Sequence, residues 1–325
     1  MRYTLAKHPV IRDFMYLTKY TTPYGTEHET FRRLLNDRGF RESKTGNFFG
    51  IKKGELGTSE SEPLTLFVAH MDTADHIRSR VRREVNSTII GTDGQTLLGA
   101  DDKAGCSVLL HLWRNNVPGV YMFAVGEEVG CVGSQSVASE LQAYEYWRAI
   151  SWDRYGYSSV ITHQMGDRTA SNEFASALIS EYKDAGLTFK ADNGGSFTDT
   201  YSFIDTIPEC TNISVGYFNQ HSPGETQDAE FLVDVAEAST LIDWENLPTV
   251  CDPNAPRESL WMTSHNYHKV PWIGTDDDND EHVLSDIEIL QAVQYGVLTY
   301  REIETFVRKN PDDAASLLYE KLMGY

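Results

Sequence analysis

Leu64–Ala69 (LTLFVA) is six residues of strand-like apolar sequence that run straight into His70, Met71 and Asp72. The pattern recurs down the chain. Val120–Val125 (VYMFAV) ends on Gly126, Glu127 and Glu128; Ala149–Trp152 (AISW) ends on Asp153; Ile213–Phe218 (ISVGYF) leads to His221 in NQHSPGE. Stretches with helical spacing lie between them: a buried helix over Lys103–Trp113 (KAGCSVLLHLW), an amphipathic one over Asn172–Ala185 that stops at Gly186, and one over Ala229–Trp244. Short apolar runs alternating with helices predict an α/β fold, a three-layer sandwich with a largely parallel central sheet.

Other segments fill in that outline. A helix is expected over Glu27–Arg38, N-capped by Thr26 and stopped by Gly39, followed by a strand over Gly46–Lys52. Ser87–Leu98 (STIIGTDGQTLL) reads as a hairpin, because Asp93-Gly94 supplies the positive backbone angles that its turn requires. After Val250 the periodicity fades into a stretch carrying the acidic run DDDNDE (Asp276–Glu281). That run lacks the glycine and distal glutamate of a calcium loop and reads as a solvated linker. Beyond it come three helix starts: Ser285 with Glu288, Thr299 with Glu302, and Asn310 before Pro311. The expected organisation is a catalytic domain over 1–250, an acidic linker over 251–283 and a small C-terminal helical appendage over 284–325 that docks a partner or its own domain.

The charge balance narrows the function. With 28 Lys+Arg against 48 Asp+Glu the formal charge is −20. Such a field repels phosphate backbones and anionic membranes, so neither nucleic acid nor membrane is an expected partner. No signal peptide or membrane-length apolar run is apparent, and the four cysteines are scattered without a C-x-x-C pair. That usage suits reduced thiols and a cytoplasmic location.

Taken singly, each strand-end group has a bland reading. His70 and Asp72 fit a polar strand end, Asp101 or Asp102 in LLGADDKAG a helix cap, Glu127 and Glu128 a solvated turn, and His221 a polar loop. Jointly they require five coincidences at the edge of the sheet where open α/β folds bind ligands. Two imidazoles and several carboxylates with no thiolate suit Zn²⁺, or Mn²⁺ or Co²⁺. The carboxylate count suggests two ions, since three ligand carboxylates and a bridging hydroxide would cancel the charge of two Zn²⁺. A fourth acidic group is then free to act as a base. Asp72, two residues beyond His70, points to the same side and is placed to orient the imidazole.

The ordered motifs HMD, GADDKAG, GEEVG, a strand-end aspartate and a late histidine resemble the dinuclear zinc exopeptidases, the superfamily of peptidase T, glutamate carboxypeptidase and the bacterial zinc aminopeptidases. The resemblance spans roughly residues 10–245, and LLGADDKAG is especially similar to peptidase T. It implies that Asp101 bridges two ions, that the Asp101–Asp102 peptide is cis, that His70 and Asp153 complete one ligand set and Glu128 and His221 the other, and that Glu127 is the general base acting on a metal-bridging water. Asp72 would assist it.

The intervals between ligands depart from peptidase T. From Asp153 to His221 is 221 − 153 = 68 residues and from His70 to Asp101 is 101 − 70 = 31, which leaves no room for an inserted lid domain. The expected catalytic domain is lidless. A lid residue that stabilises the oxyanion is then missing; Tyr201 is a candidate replacement, with a packing role as its other reading. The function expected is a metal-dependent aminopeptidase acting on short peptides. The alternatives are a hydrolase of N-acyl amino acids or other small amides, and a non-catalytic binding protein that keeps the fold.

Overall fold

The computed structural model describes residues 3–53, 64–138 and 146–259. In chain order its strands are β1 (Arg41–Glu42), β2 (Phe48–Lys52), β3 (Leu64–His70), β4 (Arg83–Asn86), β5 (Ile89–Thr92), β6 (Gly119–Ala124), β7 (Tyr146–Arg154), β8 (Ser159–Ile161), β9 (His163–Gln164), β10 (Asp167–Arg168), β11 (Lys190–Asp192), β12 (Glu209–Ser214), β13 (Tyr217–Phe218) and β14 (Thr226–Asp228). The helices are α1 (Tyr3–Ala6), α2 (Pro9–Leu17), α3 (His28–Asn36), α4 (Ala100–Arg114), α5 (Val132–Ala138), α6 (Asn172–Asp184) and α7 (Ala229–Ser239).

The main sheet runs β1-β2-β6-β3-β7-β12-β8-β11. Its centre, β6-β3-β7-β12, is parallel throughout, while β2 joins β6 antiparallel. Parallel strands are buried on both faces, and the alternation of side chains sorts each strand between two cores. Phe67 and Ala69 of β3, Tyr121 and Phe123 of β6, and Ile150 and Trp152 of β7 join one apolar cluster with α2, α4, α6 and α7. Leu66, Val68, Val120, Met122 and Ala149 face the other way onto Val137 of α5 and onto Phe203, which closes the 3₁₀ turn Asp199–Phe203. Full burial of each such side chain contributes about 1.5–3 kcal/mol. Helical layers on both faces of one sheet make the expected three-layer sandwich.

A smaller antiparallel sheet, β13-β14-β5-β4, stands beside the main one. Its hairpin corrects the expectation: β4 and β5 turn at Ser87 and Thr88, with Ser87 at φ +57°, rather than at Asp93-Gly94. Ile89 and Ile90 have to pair with both β4 and β14, so the strand begins immediately after Thr88. Asp93-Gly94 shapes the next loop, where Gly94 sits at φ +77°. The cap of α3 also differs, for Glu27 holds that position and Thr26 Oγ1 donates instead to the Pro23 carbonyl. The last helix stops at Ser239 rather than Trp244, and the Trp244 ring stands edge-on to Phe67 and Trp152. The strand expected over Ile213–Phe218 is broken between β12 and β13, with Gly216 at φ +87°.

These elements belong to one compact unit, Met1–Thr263. Within it Val250 N and Cys251 N donate to Glu209 Oε1, and Arg168 pairs with Glu258 at 2.7 Å. The rest of the expected acidic linker, 260–283, and the helical appendage at 284–325 lie outside the described residues.

Candidate metal centre

The parallel strands deliver their polar ends to one edge. His70 is the last residue of β3, Glu127 and Glu128 follow β6, and Asp153 stands near the end of β7. Asp101 and Asp102 open α4 with non-helical backbone angles, joined by a cis peptide. Gly105 permits the close turn that follows, since a Cβ there would lie 2.3 Å from Asp102 Oδ1. His221 arrives from the loop between β13 and β14, at φ +59°.

All five residues expected to ligate metal meet. His70 Nε2 lies 3.0 Å from Asp101 Oδ1 and 3.8 Å from Asp153 Oδ1. His221 Nε2 lies 3.2 Å from Asp101 Oδ2 and 3.1 Å from Glu128 Oε2. The two oxygens of Asp101 are thus divided between two imidazoles. Each of the sets His70–Asp101–Asp153 and Asp101–Glu128–His221 offers donor atoms within 4.8 Å of one another, and so does His70–Glu127–Glu128. Glu127 Oε2 stands farther off, 4.0 Å from His70 Nε2.

The supporting contacts account for residues that the sequence did not single out. Asp153 is held by Thr198 Oγ1 and Tyr217 Oη, which donate to its carboxylate at 2.8 and 3.1 Å, and by Asn212, which brackets its backbone. Buried Glu225 accepts the N–H groups of Gly99 and Asp101. It lies inside the quoted NQHSPGE stretch, four residues beyond His221. Asp199, 1% exposed, has an Oδ1 with no hydrogen-bond donor among the described residues.

Asp72 serves the backbone beside it and not, as expected, the His70 ring, whose Nδ1 has no hydrogen-bond partner among the described residues. It lies 3.4 Å from His70 Nδ1, beyond a well-formed hydrogen bond, while its two oxygens accept the backbone N–H groups of Glu127 and Glu128 at 3.0 and 3.1 Å. It pins the turn that carries both glutamates. Asp102 accepts His70 N and Gly105 N, a backbone role. Tyr201 donates to Asp167 at 2.9 Å and packs on the second core, so its hydroxyl is engaged outside the cluster.

Electrostatics mark the cluster as unbalanced by protein alone. Burial pushes Glu127 well up, Glu128 up, and Asp153 up to about 6. Hydrogen bonds that His221 donates to Asp101 and Glu128 push it up to about 11. Burial opposes charge on His70, but Asp101, Asp153 and Asp72 outweigh it and hold the imidazole well above its usual value. Asp101 goes down despite its burial, because both histidines donate to it. Two protons on imidazoles thus offset part of a concentrated negative charge. Buried Glu128 Oε1 has no hydrogen-bond donor among the described residues. Buried oxygen and nitrogen donors, short of positive charge and with an unsatisfied carboxylate atom, fit divalent cations.

No protein-family model matches the chain. It is 29% identical over 147 residues to the uncharacterized protein YqjE of Bacillus subtilis (strain 168), a match covering 39% of this chain and 39% of that relative. Among solved structures it resembles aminopeptidase PepT from Bacillus cereus ATCC 10987, with a TM-score of 0.61 and 17% identity over 73% of this chain and 98% of that one. The chain shares the fold of that aminopeptidase. A tripeptidase from Staphylococcus aureus subsp. aureus Mu50 shares it, with a TM-score of 0.60 and 16% identity over 71% and 96% of the two chains. So does the TET1 peptidase of Pyrococcus horikoshii, with a TM-score of 0.57 and 15% identity over 71% and 98%. Among the described residues the intervals 70–101 and 153–221 are occupied by strands of the sheets, α6 and the 3₁₀ turn, with no inserted domain. No helix among the described residues is long and apolar enough to cross a membrane.

Proposed function

We propose that the chain is a metal-dependent aminopeptidase acting on short peptides. The observation that carries this reading is the divided Asp101 carboxylate, with His70 Nε2 at 3.0 Å from one oxygen and His221 Nε2 at 3.2 Å from the other. His70, Asp101 and Asp153 would hold one divalent ion, and Asp101, Glu128 and His221 a second, with zinc the best match to the donor set. When bound, such ions polarise a substrate carbonyl and lower the pKa of a nearby water.

The chain's own groups supply the rest. Glu127 lies beside both sets without completing either of the two that share Asp101, and it is the general base that takes a proton from the attacking water and returns it to the leaving amine. Asp72 fixes the backbone of Glu127 and Glu128. Tyr217, Thr198 and Asn212 keep Asp153 turned inward. The surrounding carboxylates favour a substrate's ammonium end over its carboxylate end.

The test is a matched pair of substrates, a free tripeptide and its N-acetylated form, given to the zinc-loaded chain. Faster cleavage of the free peptide is expected. Faster cleavage of the acetylated one would transfer the reading to the N-acyl amide hydrolases, and elemental analysis returning no metal after zinc supplementation would sink both.

A further inference from the structure

A glutamate side chain has three rotatable bonds, so a base of this kind is effective only if something limits where its carboxylate points. Among the described residues, the side chain that donates to the Glu127 carboxylate is Cys131, with Sγ 3.7 Å from Oε1. We propose that Cys131 is the positioning residue of Glu127: its thiol holds Oε1 and leaves Oε2 turned toward His70. This rests on the reading of Glu127 as the base.

The local backbone is built around that contact. Cys131 takes a left-handed conformation, φ +54°, which an L-residue other than glycine seldom adopts. In it the Cys131 N–H and the Gly130 N–H both donate to the Glu127 carbonyl at 2.9 Å. Val132 N and Gly133 N then close onto the carbonyls of Gly126 and Val125. One residue therefore addresses Glu127 twice, through its backbone and through its side chain. The thiol is fully buried, and burial raises its pKa, so it keeps the proton that it offers to Oε1. With Oε1 so engaged, Oε2 is the oxygen 4.0 Å from His70 Nε2, on the side where the two candidate ligand sets meet.

The experiment uses the zinc-loaded full chain as wild type, C131A and C131S, measuring zinc content and both kcat and KM on a free tripeptide. Loss of one hydrogen bond of ordinary strength predicts that C131A lowers kcat about threefold to tenfold, with KM and zinc content unchanged. C131S, which keeps a donor on a shorter bond to Cβ, should recover part of that loss. Wild-type kcat in C131A, or a C131S variant as slow as C131A, would overturn the proposal. A second readout does not need turnover. The infrared S–H stretch that disappears in C131S should shift in E127Q, and a band unmoved by E127Q overturns the contact even if C131A fails to fold. A wild-type chain that cleaves no peptide would defeat the function proposed above, while the infrared arm would still decide whether the thiol holds Glu127.

Discussion

Glu225 accepts the backbone N–H of Asp101 at 3.0 Å, across 124 residues of sequence, and so fixes from behind the carboxylate shared by His70 and His221. Its other oxygen takes Gly99 N at 2.7 Å. Truncation to alanine strands two buried donors, each costing about 1–3 kcal/mol. E225A is therefore expected to melt at a lower temperature and to retain less zinc after dialysis, with E225Q milder on both measures. Unchanged zinc retention in E225A would mean that Asp101 is held without it.

Glu127→Gln keeps the shape of the side chain and removes the base. Turnover should fall by ~10²-fold or more while zinc content stays near that of the wild type. Full activity in E127Q would show that Glu127 has another task.

Protonation of the imidazoles sets the pH behaviour. His221 in the metal-free chain sits at about 11, above its ordinary value near about 6.5. A raised histidine pKa contributes stability that is complete below the unfolded value and is lost as pH rises through the folded one, so the metal-free chain should weaken between neutral pH and about 11. Zinc needs the neutral ring, so binding at neutral pH must expel protons from His70 and His221. Titration calorimetry in two buffers of different ionisation enthalpy should report net proton release. Uptake, or no exchange, would contradict the placement of these histidines as ligands.

The described segment after Val250 is tied to the unit that carries the cluster. Glu209, fully buried, accepts Ser171 N, Ser171 Oγ, Val250 N and Cys251 N, and Arg257 reaches Asp205 at 2.8 Å. A chain ending at residue 249 should melt below one ending at 259, measured by thermal unfolding at matched concentration. Equal melting temperatures would show that Glu209 finds water instead.

Much of this was legible because the chemistry lies at the ends of apolar runs. The alternation in Leu64–Ala69 and Val120–Val125 fixes which residues face which core, and it leaves His70, Glu127 and Glu128 at the ligand-binding edge. The resemblance supplied the sharing of Asp101 and its cis peptide. What stayed hidden depends on tertiary neighbours. Nothing local distinguishes Glu225 from any acidic loop residue, or Tyr217 and Asn212 from ordinary strand residues, until β12 pairs with β7 and the Tyr217 hydroxyl reaches Asp153. The hairpin was misplaced because Asp93-Gly94 is the stronger turn dipeptide, while the pairing of β5 with β14 determined where the chain had to reverse. The N-terminal helix Pro9–Leu17 went unread, although Pro9 stands at its first position and His8 caps it through Nδ1.

The residues that hold Asp153 in place, Thr198, Asn212 and Tyr217, follow it by 45, 59 and 64 positions. His221 comes 221 − 70 = 151 residues after His70. A ribosome adding roughly 5–20 residues per second takes on the order of ten seconds to cover that distance. Once Asp153 is made, the nascent chain carries its acidic cluster half built, with His70, Asp101, Glu127, Glu128 and Asp153 synthesised and the stretch from Thr198 to His221 still to come. The set Asp101–Glu128–His221 cannot be complete before residue 221 has left the exit tunnel, whereas the last member of His70–Asp101–Asp153 is made 221 − 153 = 68 residues earlier. The two candidate sites are thus completed in order along the chain, the one built on His70 and Asp153 first and the one that needs His221 second.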